Sequence, residues 1–388
     1  MRVLMRAPLL SFSGYGIHSR QVYKWLETKE NYDIDVQILR WGSTSWMINP
    51  DMEEGLVGRV MSRSGDPNRD LKYDITFQVQ LPDEWDPELG KINVGISAVV
   101  ETDVCNPAWI EKMNQMTCIV VPSNHIKRTI ENTGNVHVPL YVIPEWYFEQ
   151  IDVDKTKEID LNLSTEFNFF INGTITAPTP SSDRKNTFNT VKWFCEAFKD
   201  DATTGLIIKS TMTGAGTRID RQLTKKALID CLQSCRSGEY PKVYLLHGNL
   251  EPEEICSIYK RPDVKCYLSL TRGEGFGLPH LEAAASGLPV MATNWSSHVE
   301  FLGLGKFLAI NYELKEIPPE RIDNRIFVNG MRWAEPSEED FKKKIIKFRQ
   351  KSNIPNQWAA ELSSKIRENY SSSVIMKRYD NLLDELLG

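Results

Sequence analysis

Long apolar runs are missing from this 388-residue chain: no stretch approaches the roughly eighteen uninterrupted apolar residues of a membrane-spanning helix, so no span is expected. The N-terminus, Met1-Arg-Val-Leu-Met-Arg-Ala-Pro8, lacks the apolar core and small-residue cleavage site of a secretory signal and reads as the start of a strand. A cytoplasmic protein is the expectation. Cysteine is sparse: the seven residues, Cys105, Cys118, Cys195, Cys231, Cys235, Cys256 and Cys266, are odd in number and scattered. That excludes a disulfide framework and fits reduced thiols. Cys231 and Cys235 share a helix face, but no second Cys or His pair stands near them, so no zinc site and no metal are expected. Asp33-Ile-Asp35 and Asp152-Val-Asp154 have the Asp-x-Asp form of a metal motif, a triplet common by chance. An excess of positive charge is missing too. The net charge of -6 gives no whole-molecule attraction to nucleic acid or anionic membrane, and Lys127 and Arg128 beside His125 form only a small basic cluster.

What is present is an ordinary globular composition, 25% charged and 41% hydrophobic, with length enough for two domains. Strand and helix patterns alternate from residue 1 to about 145, as in a mostly parallel sheet with covering helices. Val3–Leu10 reads as a strand, Ser11–Gly16 as a glycine loop, and Ile17–Thr28 as a helix with Val22, Trp25 and Leu26 on one face. Strand, glycine loop and helix open many nucleotide-binding α/β units, although Gly14 and Gly16 alone also suit a plain tight turn. Residues 146–167 turn acidic and aperiodic, and the alternation then restarts. The expected organisation is an N-terminal Rossmann-like domain over 1–150, a link over 151–166, a second Rossmann-like domain over 167–370, and a helix over 371–388 that crosses back to the first. The two would face one another across a cleft, with ligands at the carboxyl ends of the strands. Short strands are also expected at Phe307–Ile310 and Ile326–Trp333.

One stretch organises the rest: Thr271-Arg-Gly-Glu-Gly-Phe-Gly-Leu-Pro-His-Leu-Glu-Ala-Ala-Ala-Ser-Gly-Leu-Pro-Val290. A strand pattern feeds it, a helix pattern from Leu278 to Ser286 follows, and Glu274 and Glu282 bracket the turn. Gly273, Gly275 and Gly277 permit positive φ and close backbone approach. Helix N-terminal amides would meet a phosphate, and the carboxylates would accept from hydroxyls beside it. This chemistry suits a phosphate with sugars attached.

The stretch resembles the signature of the retaining glycosyltransferases of family 4, which have the GT-B fold. That signature has two glutamates separated by seven residues around Phe-Gly-Leu-Pro, and here it reads Glu274, Gly275-Phe-Gly-Leu-Pro-His-Leu281, Glu282. The resemblance implies that Glu274 binds donor-sugar hydroxyls and that Phe276, Gly277 and Leu278 offer backbone amides to sugar and diphosphate. It implies that Glu282 holds ribose hydroxyls, that Lys185 in Asp183-Arg-Lys-Asn186 binds phosphate, and that Gly14 and Gly16 lie against the diphosphate. His247-Gly248-Asn-Leu250 resembles the segment lining the base pocket, and Glu300 matches a glutamate at the rim of the site. Two departures stand out. Thr174 occupies the position of a second basic residue, so that Arg184 is a shifted replacement. Glu101, in Val100-Glu-Thr-Asp103, stands near the place of a histidine that contacts the donor in relatives.

The function these features imply is metal-independent, retaining transfer of a sugar from a nucleoside diphosphate sugar to a hydroxyl. No cofactor is implied, and a glycan of a cell-surface polysaccharide or lipopolysaccharide is the default acceptor. Glycosylation of a hydroxylated DNA base, a phosphorylase or epimerase on the same donor site, and a non-transferring nucleotide-sugar-binding protein stay open. His18, His280 and His298 suit structural roles as well as ligand contact. Trp41, Trp46 and Trp146 suit a core as well as a sugar face, so none is assigned to a site.

Overall fold

The computed structural model describes residues 1–67, 72–153 and 156–388. Asp154, second aspartate of the Asp152-Val-Asp154 triplet, lies outside the described residues. The chain forms two compact units: Met1–Glu145 with Asp323–Val328 and Ser373–Gly388, and Trp146–Ile322 with Asn329–Ser372.

The first unit is built on a six-stranded parallel sheet of β1 (Arg2–Ala7), β2 (Asp33–Ile38), β3 (Tyr73–Val79), β4 (Gly90–Ile96), β5 (Cys118–Val121) and β6 (Leu140–Val142) in the order β2-β1-β3-β4-β5-β6. The middle strands are buried nearly end to end, as in a sheet covered on both faces: Ile75, Phe77 and Val79 point one way and Thr76 and Gln78 the other, all inaccessible. The polar pair is satisfied within the protein, Thr76 Oγ1 donating to Asn93 Oδ1 at 2.8 Å and Gln78 Nε2 to the Asp86 carbonyl at 2.7 Å.

Helix α1 (Gly14–Glu27) starts three residues earlier than its apolar pattern suggests. Ser13, extended at φ -127°, accepts the Gly16 N–H at 3.0 Å and so satisfies a first-turn donor. Val22, Trp25 and Leu26 are fully buried on one face, as their spacing predicts. Much of the expected glycine loop is therefore the first turn of the helix. The two glycines differ in use. A Cβ on Gly16 would lie 2.0 Å from the Ser11 carbonyl oxygen, whereas one on Gly14 would meet nothing within 4 Å. Buried Arg20 closes the turn, donating to the carbonyls of Leu9 at 2.9 Å and Ser11 at 3.0 Å and pairing with Glu53 at 2.5 Å. Tyr15 stacks on Trp41 with ring centroids 3.9 Å apart, and its hydroxyl bonds Ser97 Oγ and accepts the Ala98 N–H, each at 3.0 Å. Burial pushes the Tyr15 phenol up, and the Glu101 carboxylate adds to the shift.

Helices α2 (Leu56–Ser62), α3 (Ala108–Met113) and α4 (Asn124–Thr133) cover this sheet, and Ser123 caps α4, accepting the Ile126 N–H at 3.1 Å.

In the second unit β7 (Phe167–Asn172), β8 (Thr204–Lys209), β9 (Lys242–Leu246), β10 (Val264–Ser269), β11 (Val290–Thr293) and β12 (Leu308–Ile310) form a second parallel sheet, ordered β12-β11-β10-β7-β8-β9. Helices α5 (Thr187–Ala197), α6 (Arg218–Cys235), α7 (Pro252–Tyr259), α8 (Leu278–Ala285) and α9 (His298–Leu302) connect its strands. An antiparallel hairpin, β13 (Tyr312–Glu316) with β14 (Arg332–Pro336), and helices α10 (Glu338–Gln350) and α11 (Asn353–Tyr370) complete it. Its core is aromatic: Phe169 packs against Phe194, Phe198 and Phe348 with centroids 5.6 to 5.8 Å apart.

The last helix, α12 (Ser372–Leu387), packs in the first unit, where Trp25 Nε1 donates to Asp380 at 2.7 Å and His18 Nε2 lies 3.3 Å from the Tyr379 hydroxyl. His18 is thus a core residue, its pKa pushed down to about 4 by burial. Of the strand expected over Ile326–Trp333 only Arg332 and Trp333 are extended, as the start of β14, and residues 326–331 form none. Asp323 Oδ1 accepts the N–H groups of Arg325, Ile326 and Phe327 at 2.7 to 3.0 Å, which folds this apolar run into a loop. Arg325 pairs with Asp83 at 2.7 Å and Glu84 at 2.6 Å, holding the loop to the first unit. All seven cysteines are free.

Two substitutions test the reading of the glycine turn. Gly16→Ala should lower the denaturation midpoint, at a cost of about 1–3 kcal/mol for overpacking. Gly14→Ala should leave stability unchanged or slightly raised, because alanine suits a helix better. Chemical denaturation followed by circular dichroism measures both, and equal effects would contradict the assignment.

Candidate functional site

The second sheet reverses its strand order between β7 and β10, so the loops leaving those two strands diverge and frame a crevice at their carboxyl ends. The β7–α5 loop carries Asp183, Arg184 and Lys185, and the β10–α8 loop carries Arg272 to Gly277. Residues separated by about ninety positions therefore meet there.

Asp183 shapes the first loop. Its buried carboxylate accepts the Thr176 N–H and hydroxyl, both at 2.9 Å, and the Thr187 N–H at 2.7 Å at the start of α5. Lys185 thus sits on a turn before the helix and not within it, and Asn186 follows in the left-handed region at φ 55°. Arg272 ties the second loop to the first. It donates to the carbonyls of Pro180 at 2.8 Å and Asp183 at 2.7 Å, and its own N–H bonds the Arg184 carbonyl at 2.8 Å. A bidentate pair with Glu335, at 2.7 and 3.0 Å, and the Trp333 ring at 5.4 Å hold its guanidinium.

The result is an ion pair between the loops. Lys185 Nζ lies 2.7 Å from each oxygen of Glu274. Arg184 Nη1 donates to the Gly273 carbonyl at 2.5 Å and stands 3.7 Å from Glu274 Oε2. Burial raises the Glu274 pKa, but the Lys185 and Arg184 charges outweigh it and hold the carboxyl well below the usual range. Glu274 is only 5% exposed and stays ionised.

Gly277 ends the turn at φ 103° and caps α8, a conformation that favours glycine. Pro279 stands in the first turn of α8. Phe276 and Leu278 are buried, and Phe276 packs on Phe301 with centroids 5.4 Å apart. Glu282, one turn into α8, has a different setting. Its Oε2 accepts the Tyr259 hydroxyl at 3.0 Å, and burial, opposed by that bond and the Lys209 charge, pushes its pKa up to about 7. Glu274 and Glu282 are thus unlike in charge state although alike in sequence.

Several participants escaped the sequence reading. Lys209 ends β8 beside Asn172 of β7, and Asn172 Nδ2 donates to the Tyr259 hydroxyl at 3.3 Å. Its visible signal was a charged residue ending the apolar strand Gly205-Leu-Ile-Ile208. Asp220 accepts the N–H groups of Met212, Thr213 and Gly216 at 2.9 to 3.2 Å, folding the β8–α6 loop back, and lies 3.2 Å from His247 Nε2. Next to His247, Gly248 takes φ 118°. Thr174 Oγ1 lies 3.4 Å from Thr211 Oγ1, and half-buried Glu300 stands in the first turn of α9. His280 is buried under the Glu274 turn, stacked on His298 at 4.4 Å. Burial holds both imidazoles below their usual pKa and therefore neutral. Gly14, Gly16 and Glu101 belong to the first unit, at the carboxyl edge of its own sheet.

The raised pKa of Glu282 has a stability consequence. Between the unfolded value of 4.5 and the folded value of about 7, the folded state holds a proton that the unfolded state has lost. Stability therefore falls as pH rises through that window, by about 3 kcal/mol in all. Glu282→Gln keeps an acceptor for Tyr259 and removes the penalty. Urea unfolding should show the variant gaining on the natural chain from pH 5 to pH 8, and a pH-independent difference would contradict the assignment.

Residues 235–364 match the family model described as glycosyl transferases group 1, a segment containing both glutamates but neither Lys185 nor Arg184. No curated protein matches the chain by sequence. Among solved structures, HepE from Anabaena in complex with UDP and glucose gives a TM-score of 0.68 at 10% identity, covering 99% of this chain and 100% of that one. A glycosyltransferase from Rickettsia africae gives 0.67 at 12% identity, covering 100% and 98%. The sucrose-phosphate synthase of Thermosynechococcus elongatus gives 0.64 at 10% identity, covering 100% and 99%. At these identities the likeness speaks for the fold. The chain has the GT-B fold, and its residues 235–364 are similar to the glycosyl transferases group 1 family.

Proposed function

We propose that the chain is a retaining, metal-independent glycosyltransferase of family 4, which moves a sugar from a nucleoside diphosphate sugar to a hydroxyl of a glycan. The observation that carries this reading is the Lys185–Glu274 pair at the switch point, with Glu282 one helical turn behind it. A lysine ammonium has three N–H donors. Two point at Glu274, and the third is available to a phosphate oxygen. Each Glu274 oxygen keeps a lone pair for a sugar hydroxyl.

In this account the amides of Phe276, Gly277 and Leu278 and the positive end of α8 bind the sugar and diphosphate. Glu282 accepts from the ribose hydroxyls, and the Gly248 turn lines the base. Lys185 and Arg184 stabilise charge that builds on the diphosphate as the anomeric C–O bond breaks. The acceptor oxygen attacks from the face the diphosphate leaves, and its proton passes to the leaving phosphate oxygen.

UDP-glucose is the first donor to try, because HepE was solved with UDP-glucose as well as with UDP and glucose. A cell-surface polysaccharide or lipopolysaccharide glycan is the acceptor class. The net charge of -6 disfavours DNA. The free thiols fit the reducing cytoplasm, where the enzyme would act.

A panel of nucleotide sugars should raise the thermal midpoint through donor binding. With an acceptor, NMR of the product should show the donor's anomeric configuration retained, at a rate unchanged by EDTA. Lys185→Ala should lower kcat by about 10²–10³. Inverted product would overturn the mechanism, and no shift with any nucleotide sugar would overturn the function. Binding without product from any acceptor would leave a nucleotide-sugar-binding protein instead.

A further inference from the structure

Ser296 carries a conformation that a serine rarely keeps. It lies in the loop between β11 and α9 with φ 82°, in the left-handed region, and it is 6% exposed. A non-glycine residue persists there only when its surroundings over-determine it. Here the Ser296 carbonyl accepts the Val299 N–H at 3.2 Å, and the side-chain hydroxyl makes the contacts that reach the Glu274 turn. Ser296 Oγ accepts the backbone N–H of Glu274 at 2.9 Å and lies 3.3 Å from His298 Nδ1.

The other ring nitrogen fixes the direction of these bonds. His298 Nε2 lies 2.7 Å from the Thr293 carbonyl, which can only accept, so Nε2 carries the proton. In the neutral imidazole Nδ1 is then a bare acceptor, and the Ser296 hydroxyl proton points at it. That leaves the Ser296 lone pairs to Glu274. One assignment satisfies the Thr293 carbonyl, the His298 ring, the Ser296 hydroxyl and the Glu274 amide together. The stack on His280 holds the His298 ring in place, and a Cβ on Gly277 would come within 3.0 Å of His298 Cβ. Ser296 therefore braces the turn at Glu274, and His298 approaches its Gly277 end closely.

We propose that Ser296 and His298 are positioning residues for the donor sugar, fixing the backbone of Glu274 so that its carboxylate meets both Lys185 and the sugar hydroxyls. This inference rests on the proposed glycosyltransferase activity. It distinguishes two parts of the donor. The sugar depends on the braced turn, whereas the nucleotide depends on Glu282 and the β9–α7 loop.

The test uses Ser296→Ala, Ser296→Gly, His298→Ala and His298→Asn in the full chain, with UDP and UDP-glucose as probes. Ser296→Ala removes the hydroxyl and keeps a Cβ at positive φ. Ser296→Gly removes the hydroxyl and relieves that strain. Both should lose at least tenfold in kcat while the Kd for UDP stays within twofold. His298→Asn, whose side-chain oxygen can stand where Nδ1 stood, should recover much of the activity lost in His298→Ala. Full activity in Ser296→Gly would overturn the inference, because the backbone alone would then suffice. Loss of UDP binding in step with kcat would overturn it as well, by showing a collapsed site. Hydrogen exchange at the Glu274 amide separates this inference from the functional reading. Exchange should quicken at least tenfold in Ser296→Ala, Ser296→Gly and His298→Ala whether or not a nucleotide sugar binds. Unchanged exchange sinks the brace, and absent nucleotide binding by the natural chain sinks the activity instead.

Discussion

A carboxylate held almost out of reach of water needs a partner, because an unpaired buried charge costs several kcal/mol. Glu274 is in that position, and the local structure of the second unit serves its pairing with Lys185. The pair joins two loops that leave adjacent strands in opposite directions. Asp183 folds the loop that presents Lys185, and Arg272 ties that loop to the one that presents Glu274. Removing Lys185 alone would leave a buried anion, which is worse for the fold than losing both charges. The same pair supplies a cation with one donor to spare and an anion with lone pairs to spare, a combination suited to a sugar phosphate.

Glu282 shows how position changes the chemistry of an identical side chain. Glu274 faces two cations, and their charges overcome the effect of burial. Glu282 faces a phenol and a more distant lysine, and burial wins. One glutamate is a fixed anion, and the other changes protonation near neutral pH. The neutral pair of His280 and His298 beneath the turn adds no charge to either.

The reach of the sequence followed the range of the interactions. The strand, glycine turn and helix that carry Glu274, Gly277 and Glu282 were legible because they lie in one short segment, whereas Lys185 was singled out by the family resemblance alone. The burial of Val22, Trp25 and Leu26 was legible for the same local reason. The start of α1 shifted to Gly14, where the Ser13 cap overrode the apolar pattern. The start of Ile326–Trp333 misled because three N–H groups fold onto Asp323, a preference that an apolar run conceals. Arg272 with Glu335 and Glu274 with Ser296 left no trace in sequence spacing, since 63 and 22 residues separate the partners. Ser296 was further hidden because a serine at positive φ looks in sequence like any other loop serine.

The most direct test of the central claim is a crystal structure of the chain with UDP-glucose. The account places a phosphate oxygen within hydrogen-bond distance of Lys185 Nζ, glucose hydroxyls on Glu274 and the ribose hydroxyls on Glu282. A nucleotide sugar bound elsewhere, or bound with Glu274 and Lys185 untouched, would contradict it.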